Sequence, residues 1–129
     1  MMKTVYLDNI SATPLHSEVI KVMIEYLEKG FGNPLSQHRI GDEASEALEA
    51  ARAEVAALIN ANPQEIVFMS GGTESINHAI KGGAFVMAGK GKHIVTSNIE
   101  HQVVLRSLRS LKNLGYHMTS VPVDEDGLA

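Results

Sequence analysis

Residues 69–80 read MSGGTESINHAI, and this stretch decides how the middle of the chain is interpreted. The run EIVFM (65–69) that leads into it is rich in β-branched and aromatic residues, which is typical of a short strand. Beyond the Ser-Gly-Gly turn, residues 74–88 have the apolar spacing of a helix. The sequence therefore predicts a strand that turns directly into a helix.

The flanking segments continue this alternation of strands and helices. Short apolar runs predict further strands at TVYLD (4–8), HIVTS (93–97) and HMTSVPV (117–123). Apolar residues at helical spacing predict helices over 17–29, 42–60, 74–88 and 101–114. Strands that alternate with helices are typical of βαβ units with parallel strands. We therefore predict an α/β fold with a parallel-rich sheet and flanking helices, and we expect it to be the front part of a larger domain or one that needs a partner.

Composition narrows the class of protein. The chain has 129 residues, of which 44% are hydrophobic and 20% charged, as in an ordinary soluble domain. A net charge of −4 argues against a nucleic-acid surface, and no apolar run is long enough to cross a membrane. There is no cysteine and no signal-peptide pattern at the start. We expect a cytoplasmic protein that binds neither nucleic acid nor membrane.

The junction between the strand and the helix carries the main functional signal. A helix N-terminus exposes unpaired N–H groups and the positive end of the helix dipole, so it favours a phosphate. Gly71 and Gly72 would let the backbone approach an anion, and the hydroxyl of Thr73 could donate a further hydrogen bond. The alternative is a plain turn in which Thr73 is the N-cap residue. The spacing matches neither a dinucleotide fingerprint nor a Walker A loop.

A histidine follows the next predicted strand. His101 lies in SNIEHQVVL (97–105), whose loop should open at the same sheet edge as the Gly-Gly-Thr turn. A histidine there could stack on an aromatic ring or move protons, although an exposed histidine near a helix start is the simpler alternative. The other histidines are scattered without metal-ligand spacing, so we predict no metal site.

Taken together, these motifs resemble the cysteine desulfurase family, the pyridoxal-phosphate enzymes of the class V aminotransferase type. Several ordered segments at family spacing carry the resemblance over essentially the whole chain. They are VYLDNISATP (5–14), FGNPLSQHRIG (31–41), AARAEVAALI (50–59), IVFMSGGTESIN (66–77) and HIVTSNIEHQVVL (93–105).

The resemblance implies a fold, a cofactor and three site residues. The fold would be the N-terminal part of the aspartate-aminotransferase-like pyridoxal-phosphate fold, with residues 1–14 in the small domain and 15–129 in the large one. The cofactor would be pyridoxal 5'-phosphate. Gly72 and Thr73 would bind its phosphate, and His101 would stack on its ring and be a candidate for proton transfer.

The family reaction would take sulfur from L-cysteine, or a similar amino acid, to give alanine and a persulfide for iron–sulfur cluster assembly or another sulfur carrier. The implied partners are a sulfur-acceptor or scaffold protein and either a second copy, as a homodimer, or a complementing chain. A selenocysteine lyase or another β-elimination enzyme is an alternative. A non-catalytic truncated module that associates with a desulfurase is a further one.

Several family features are missing from the 129 residues. No Ser-x-His-Lys segment supplies the Schiff-base lysine, and no cysteine can carry the persulfide. The acid that pairs with the pyridine nitrogen and its neighbouring glutamine are missing too. Ala12 stands where the family commonly has a threonine, which leaves the substrate less defined than the cofactor. We therefore expect this chain alone not to be a competent desulfurase.

Overall fold

A computed structural model describes residues 5–128 of the chain. In this part the helices and strands are α1 (Ser17–Lys29), α2 (Arg39–Leu58), α3 (Gly72–Met87), β1 (His93–Ser97), α4 (Gln102–Lys112) and β2 (His117–Val121). A short 3-10 helix, Pro63–Glu65, follows α2. The chain divides into two compact units at Ile66–Val67, and each unit is described by itself.

The first unit contains α1, which has the predicted bounds of 17–29. Its apolar residues recur at helical spacing, yet Ile20 and Met23 remain 43% and 46% exposed. Gly30 is the C-cap residue, and its N–H donates to the carbonyl of Tyr26 at 2.8 Å. An added Cβ on Gly30 would lie 2.7 Å from a ring carbon of Tyr26, so close approach rather than a left-handed backbone requires glycine there.

The second helix, α2, begins at Arg39, three residues earlier than the predicted start at residue 42. His38 is the reason, because its Nδ1 accepts a hydrogen bond from the N–H of Gly41 at 3.2 Å and so caps the helix. Toward its C-terminal end, the guanidinium of Arg52 donates to the carbonyl of Ile66. This bond ties the chain that leaves the first unit back onto α2.

The second unit confirms the predicted α/β class. β1 and β2 pair in parallel, with His93 opposite His117 and Ser97 opposite Val121. They are joined by α4, which forms the βαβ unit that the sequence predicts. The core of this unit lies around α4 and the start of β2, where Leu108, Leu111 and Tyr116 are buried. The Tyr116 hydroxyl donates to the carbonyl of Ala84 on α3 at 2.8 Å.

Two predicted strands are not formed in the described part of the chain. The prediction of a strand at 65–69 was wrong: Glu65 ends the 3-10 helix, and 66–69 are not assigned to a strand. Ile66 has an extended backbone, but the sheet of residues 5–128 has only two strands, and a strand needs a paired neighbour. The prediction at 4–8 fails for residues 5–8 in the same way, and Thr4 lies outside the described residues.

The remaining boundaries differ by a few residues at the ends of elements. β2 ends at Val121 rather than at residue 123, because Pro122 has no N–H to donate to a sheet ladder. α3 starts two residues before the predicted 74, since Gly72 already has helical geometry. α4 is shorter than predicted at both ends, and its first residue follows His101 directly.

Candidate functional site

The N-terminus of α3 is open. Gly71 is the N-cap residue, and Gly72 and Thr73 begin the helix, so Thr73 is not the N-cap residue that the plain-turn alternative predicts. No side-chain hydrogen bond caps this helix end among the residues that the structure describes. A Cβ built on Gly71 or Gly72 would meet nothing within 4 Å. The first N–H groups of α3 thus belong to exposed residues and have no side-chain cap, which leaves them available to an anion.

The other three α-helices of the described chain differ from α3 in this respect. Each begins after a histidine whose side chain accepts a hydrogen bond from a backbone N–H of the first turn: His16 for α1, His38 for α2 and His101 for α4. Histidine is not among the preferred capping residues, so sequence reasoning missed this role for all three. Among the α-helices of residues 5–128, α3 is therefore the one whose first N–H groups have no side-chain cap.

Glu74 fixes the turn just before the open helix end. Its carboxylate accepts hydrogen bonds from the backbone N–H of Ser70 at 2.7 Å and from the Ser70 hydroxyl at 2.8 Å. These two bonds, the backbone one first, hold the pKa of Glu74 below its ordinary value, and His78 acts in the same direction. The carboxylate thus holds Ser70, the residue before Gly71, close to the first turn of α3.

His101 lies at the start of α4, beyond the carboxyl end of β1. Its Nδ1 accepts a hydrogen bond from the N–H of Val103 at 3.2 Å. A neutral ring with that acceptor carries its proton on Nε2. The preceding loop is held by the hydroxyl of Ser97, which donates to the carboxylate of Glu100 at 2.9 Å. His101 itself is exposed, so its ring is accessible to a ligand.

A hydrogen-bonded pair links the helix that carries Thr73 to the helix that begins at His101. The amide Nδ2 of Asn77 donates to the carbonyl of Thr73 at 2.9 Å. The hydroxyl of Ser107, on α4, donates to Oδ1 of Asn77 at 3.0 Å. Sequence reasoning did not single out either residue. The available signal was a serine at position 107 on the otherwise apolar face formed by Val104, Leu108 and Leu111.

No hydrogen bond joins His101 to Gly72 or Thr73 in the part of the chain that the structure describes. Gly72, Thr73 and His101 are all exposed, so these residues alone would leave a bound ligand open to water. Among residues 5–128, no group of three or more metal-ligating side chains lies close enough to hold an ion. None of the helices in that range has the length and apolarity to cross a membrane.

The family model for class-V aminotransferases matches residues 5–129. A curated relative, cysteine desulfurase IscS of Dictyoglomus turgidum, is 49% identical over 127 residues, which cover 98% of this chain and 32% of the relative. The chain thus spans about a third of the length of that relative.

Two solved structures share the fold. A structure described as a NifS-like protein has a TM-score of 0.84 and 37% sequence identity, covering 90% of this chain and 32% of that chain. A structure described as SspA in complex with cysteine has a TM-score of 0.83 and 36% identity, covering 92% of this chain and 34% of that chain. At these identities, the fold of the chain is that of an N-terminal part of NifS-like enzymes, as the sequence predicts.

Proposed function

Because this chain belongs to the aminotransferase class-V family, we propose that it is the N-terminal portion of a pyridoxal-phosphate-dependent cysteine desulfurase. The reaction would remove sulfur from L-cysteine to give alanine and a persulfide, for iron–sulfur cluster assembly or another sulfur carrier. Support comes from a relative that carries the name cysteine desulfurase and from a structural neighbour described in complex with cysteine.

The observation that carries the proposal is the open N-terminus of α3. Its first N–H groups have no side-chain cap in the described residues, and a Cβ added to Gly71 or Gly72 would meet no atom within 4 Å apart from the adjacent residues and the backbone of the helix. An N-terminus of this kind suits the phosphate of pyridoxal 5'-phosphate, since N–H donors and the helix dipole both favour an anion. The N–H groups of Gly72 and Thr73 and the hydroxyl of Thr73 would hold that phosphate.

His101 would lie against the ring of the cofactor. With Nδ1 accepting from the N–H of Val103, the neutral ring carries Nε2–H and can donate a hydrogen bond from that position. To act in proton transfer, the ring would first have to gain a proton at Nδ1, which would break the bond to Val103, and could then release one from Nε2. The cofactor would supply the electron sink for breaking the carbon–sulfur bond, and the residues of this chain would bind and orient it. His101 would therefore both limit the position of the ring and hold a proton at Nε2.

The remaining functions of such an enzyme would come from residues outside positions 1–129. This chain has no cysteine for a persulfide and no Ser-x-His-Lys segment to hold the cofactor covalently. In the complete enzyme, residues 1–14 would belong to the small domain and 15–129 to the large one. We further propose a homodimer or a complementing chain, a sulfur-acceptor or scaffold protein as partner, and a cytoplasmic location.

Ligand affinity tests the proposed phosphate contact. We use pyridoxamine 5'-phosphate, which has no aldehyde to condense with surface lysines, and compare it with pyridoxamine, which has no phosphate. The wild-type chain should bind the phosphorylated ligand more tightly. Thr73→Ala should weaken that binding by about 1–3 kcal/mol, the scale of a hydrogen bond to a charged group. Pyridoxamine affinity should not change.

Thr119→Ala is the matched control, because it removes the same hydroxyl from β2, where its partner is His93 at 2.8 Å. It should leave both affinities unchanged. Equal affinity of the wild-type chain for the two ligands would contradict a phosphate site, and an unchanged affinity of Thr73→Ala would contradict the role of Thr73.

The activity has its own test. The purified chain, with pyridoxal 5'-phosphate, L-cysteine and a thiol reductant, should release no sulfide and form no alanine. The reason is that it has neither the persulfide cysteine nor the lysine segment. Sulfide and alanine in equal amounts from this chain alone would contradict our assignment of those groups to the rest of the enzyme.

A further inference from the structure

We infer that Asn77, acting with Ser107, is a positioning residue that holds the phosphate-binding end of α3 at a fixed distance from the start of α4, where His101 lies. The inference rests on the proposed function, since it assigns the two ends of one ligand to these two helices. It adds two residues that contact neither end of the ligand themselves.

The orientation of the Asn77 side chain is determined by its partners. A backbone carbonyl only accepts hydrogen bonds, so the donor that lies 2.9 Å from the Thr73 oxygen must be Nδ2. The other amide atom, Oδ1, only accepts, and it lies 3.0 Å from the Ser107 hydroxyl. Asn77 thus reaches the first turn of its own helix with one atom and the neighbouring helix with the other.

Ser107 is in a position where its hydroxyl is costly to leave unpaired. It is 1% exposed and is flanked in sequence by the buried Leu108, so water cannot replace a lost partner. Its Oγ also lies 2.9 Å from the carbonyl of Val103, and one hydroxyl hydrogen serves these two acceptors. Ser107 therefore links Asn77 to the first turn of α4.

Val103 connects Ser107 to His101, the residue proposed to contact the cofactor ring. The N–H of Val103 donates to Nδ1 of His101 at 3.2 Å, while its carbonyl is beside the Ser107 hydroxyl. A connected series of hydrogen bonds thus runs from the carbonyl of Thr73 through Asn77, Ser107 and Val103 to the ring of His101. No hydrogen bond joins Thr73 and His101 directly in residues 5–128, and this series sets their separation.

The affinity for a ligand with a phosphate at one end and a ring at the other depends on the distance between Thr73 and His101, whereas the affinity for free phosphate does not. If Asn77 and Ser107 act as positioning residues, their substitution should change the affinities for these two ligands unequally. Ser107→Ala should weaken the binding of pyridoxamine 5'-phosphate by about tenfold, on the scale of one hydrogen bond, and should leave the affinity for inorganic phosphate unchanged. Asn77→Ala should show the same inequality.

Ser110→Ala is the matched control, since it removes a half-buried hydroxyl from the same helix. It should change neither affinity. A role limited to helix packing would make Ser107→Ala lower both affinities equally or neither, and either result would overturn the positioning role. Should Ser107→Ala fail to fold, Asn77→Ala decides alone, because Asn77 is only half-buried.

Amide and imidazole nitrogen spectra of the full chain decide the link without a ligand. Asn77→Ala should shift the amide signal of Val103 and the ring nitrogen signals of His101, which lie on the other helix. Unshifted signals would overturn the link even if the ligands bind. A wild-type chain that binds neither ligand would contradict the proposed function, and these spectra would still decide the link.

Discussion

The carboxylate of Glu74 holds Ser70 by both its backbone N–H and its hydroxyl, at 2.7 and 2.8 Å. The acceptor lies in the first turn of α3, and the two donors belong to the residue just before the Gly-Gly pair. The bonds need an ionised carboxylate to be at full strength, since ionised acceptors form the stronger hydrogen bonds. The shape of the turn therefore depends on the charge of one side chain.

This dependence predicts an acid-sensitive contribution to stability. The two bonds to Ser70 lower the pKa of Glu74 in the folded chain, and the charge of His78 adds to them. A depressed folded-state pKa stabilises the fold above the unfolded-state pKa, and the effect is lost as pH falls through the folded-state pKa. The free energy of unfolding should therefore fall with acidification below about pH 4.3, the ordinary glutamate value, and Glu74→Gln should reduce this fall.

Urea unfolding at a series of pH values measures the effect. Glu46→Gln is the control, because it removes an exposed carboxylate from α2, which belongs to the first compact unit. The control should keep the acid dependence of the wild-type chain. A Glu74→Gln chain with the same acid dependence as the wild type would show that the Ser70 bonds do not stabilise the fold.

Gly41 should not tolerate a larger side chain. A Cβ there would lie 2.2 Å from the carbonyl oxygen of Ser36 and 2.9 Å from that of Asn33, and both are backbone atoms. Gly41→Ala should lower the free energy of unfolding by about 1–3 kcal/mol, as overpacking commonly does. Thermal or urea unfolding of the full chain measures it.

Gly82 provides the opposite case within α3. A Cβ at Gly82 meets nothing within 4 Å, so Gly82→Ala should raise the free energy of unfolding by up to about 1 kcal/mol through helix propensity. If both alanine variants had the same stability, the tight packing of Gly41 against the loop before α2 would be wrong.

His101 has two separable roles, one as the cap of α4 and one as a proposed ring contact. His101→Asn keeps a side-chain acceptor, so the free energy of unfolding should not change, because asparagine is a preferred N-cap. The same variant loses the ring, and the affinity for pyridoxamine 5'-phosphate should fall by about 0.5–1.5 kcal/mol, the scale of aromatic stacking.

His101→Ala removes both the ring and the cap. It should lower the ligand affinity as His101→Asn does, and should also lower the free energy of unfolding by about 0.5–2 kcal/mol. Calorimetric titration and urea unfolding give the two quantities separately. Full ligand affinity in His101→Asn would rule out a stacking role for His101.

Local patterns in the sequence were sufficient for the elements that depend on local interactions. The apolar spacing within 17–29 predicted the bounds of α1 correctly, and the segment HIVTS predicted β1 at 93–97 correctly. The start of α2 was missed because it depends on His38, a residue type that seldom caps helices. The prediction of a strand at 65–69 was wrong because a strand depends on pairing with a neighbour and not on local preference alone.

For the candidate site too, features that depend on neighbouring residues could be predicted, and features that depend on distant residues could not. Two glycines and a threonine at a helix start can be recognised in the sequence, as can a histidine after the next strand. The Asn77–Ser107 pair could not be recognised, because its members are 30 residues apart and meet only when α3 packs on α4. Whether Gly72, Thr73 and His101 bind a cofactor remains a prediction.

The most direct test of that prediction is to follow the amide and imidazole signals of the full chain during titration with pyridoxamine 5'-phosphate. The amide signals of Gly72 and Thr73 and the ring signals of His101 should move together, with one dissociation constant. Unphosphorylated pyridoxamine should leave the two amides unmoved. Shifts confined to other residues, with Gly72, Thr73 and His101 unchanged at saturation, would contradict a cofactor site at the start of α3.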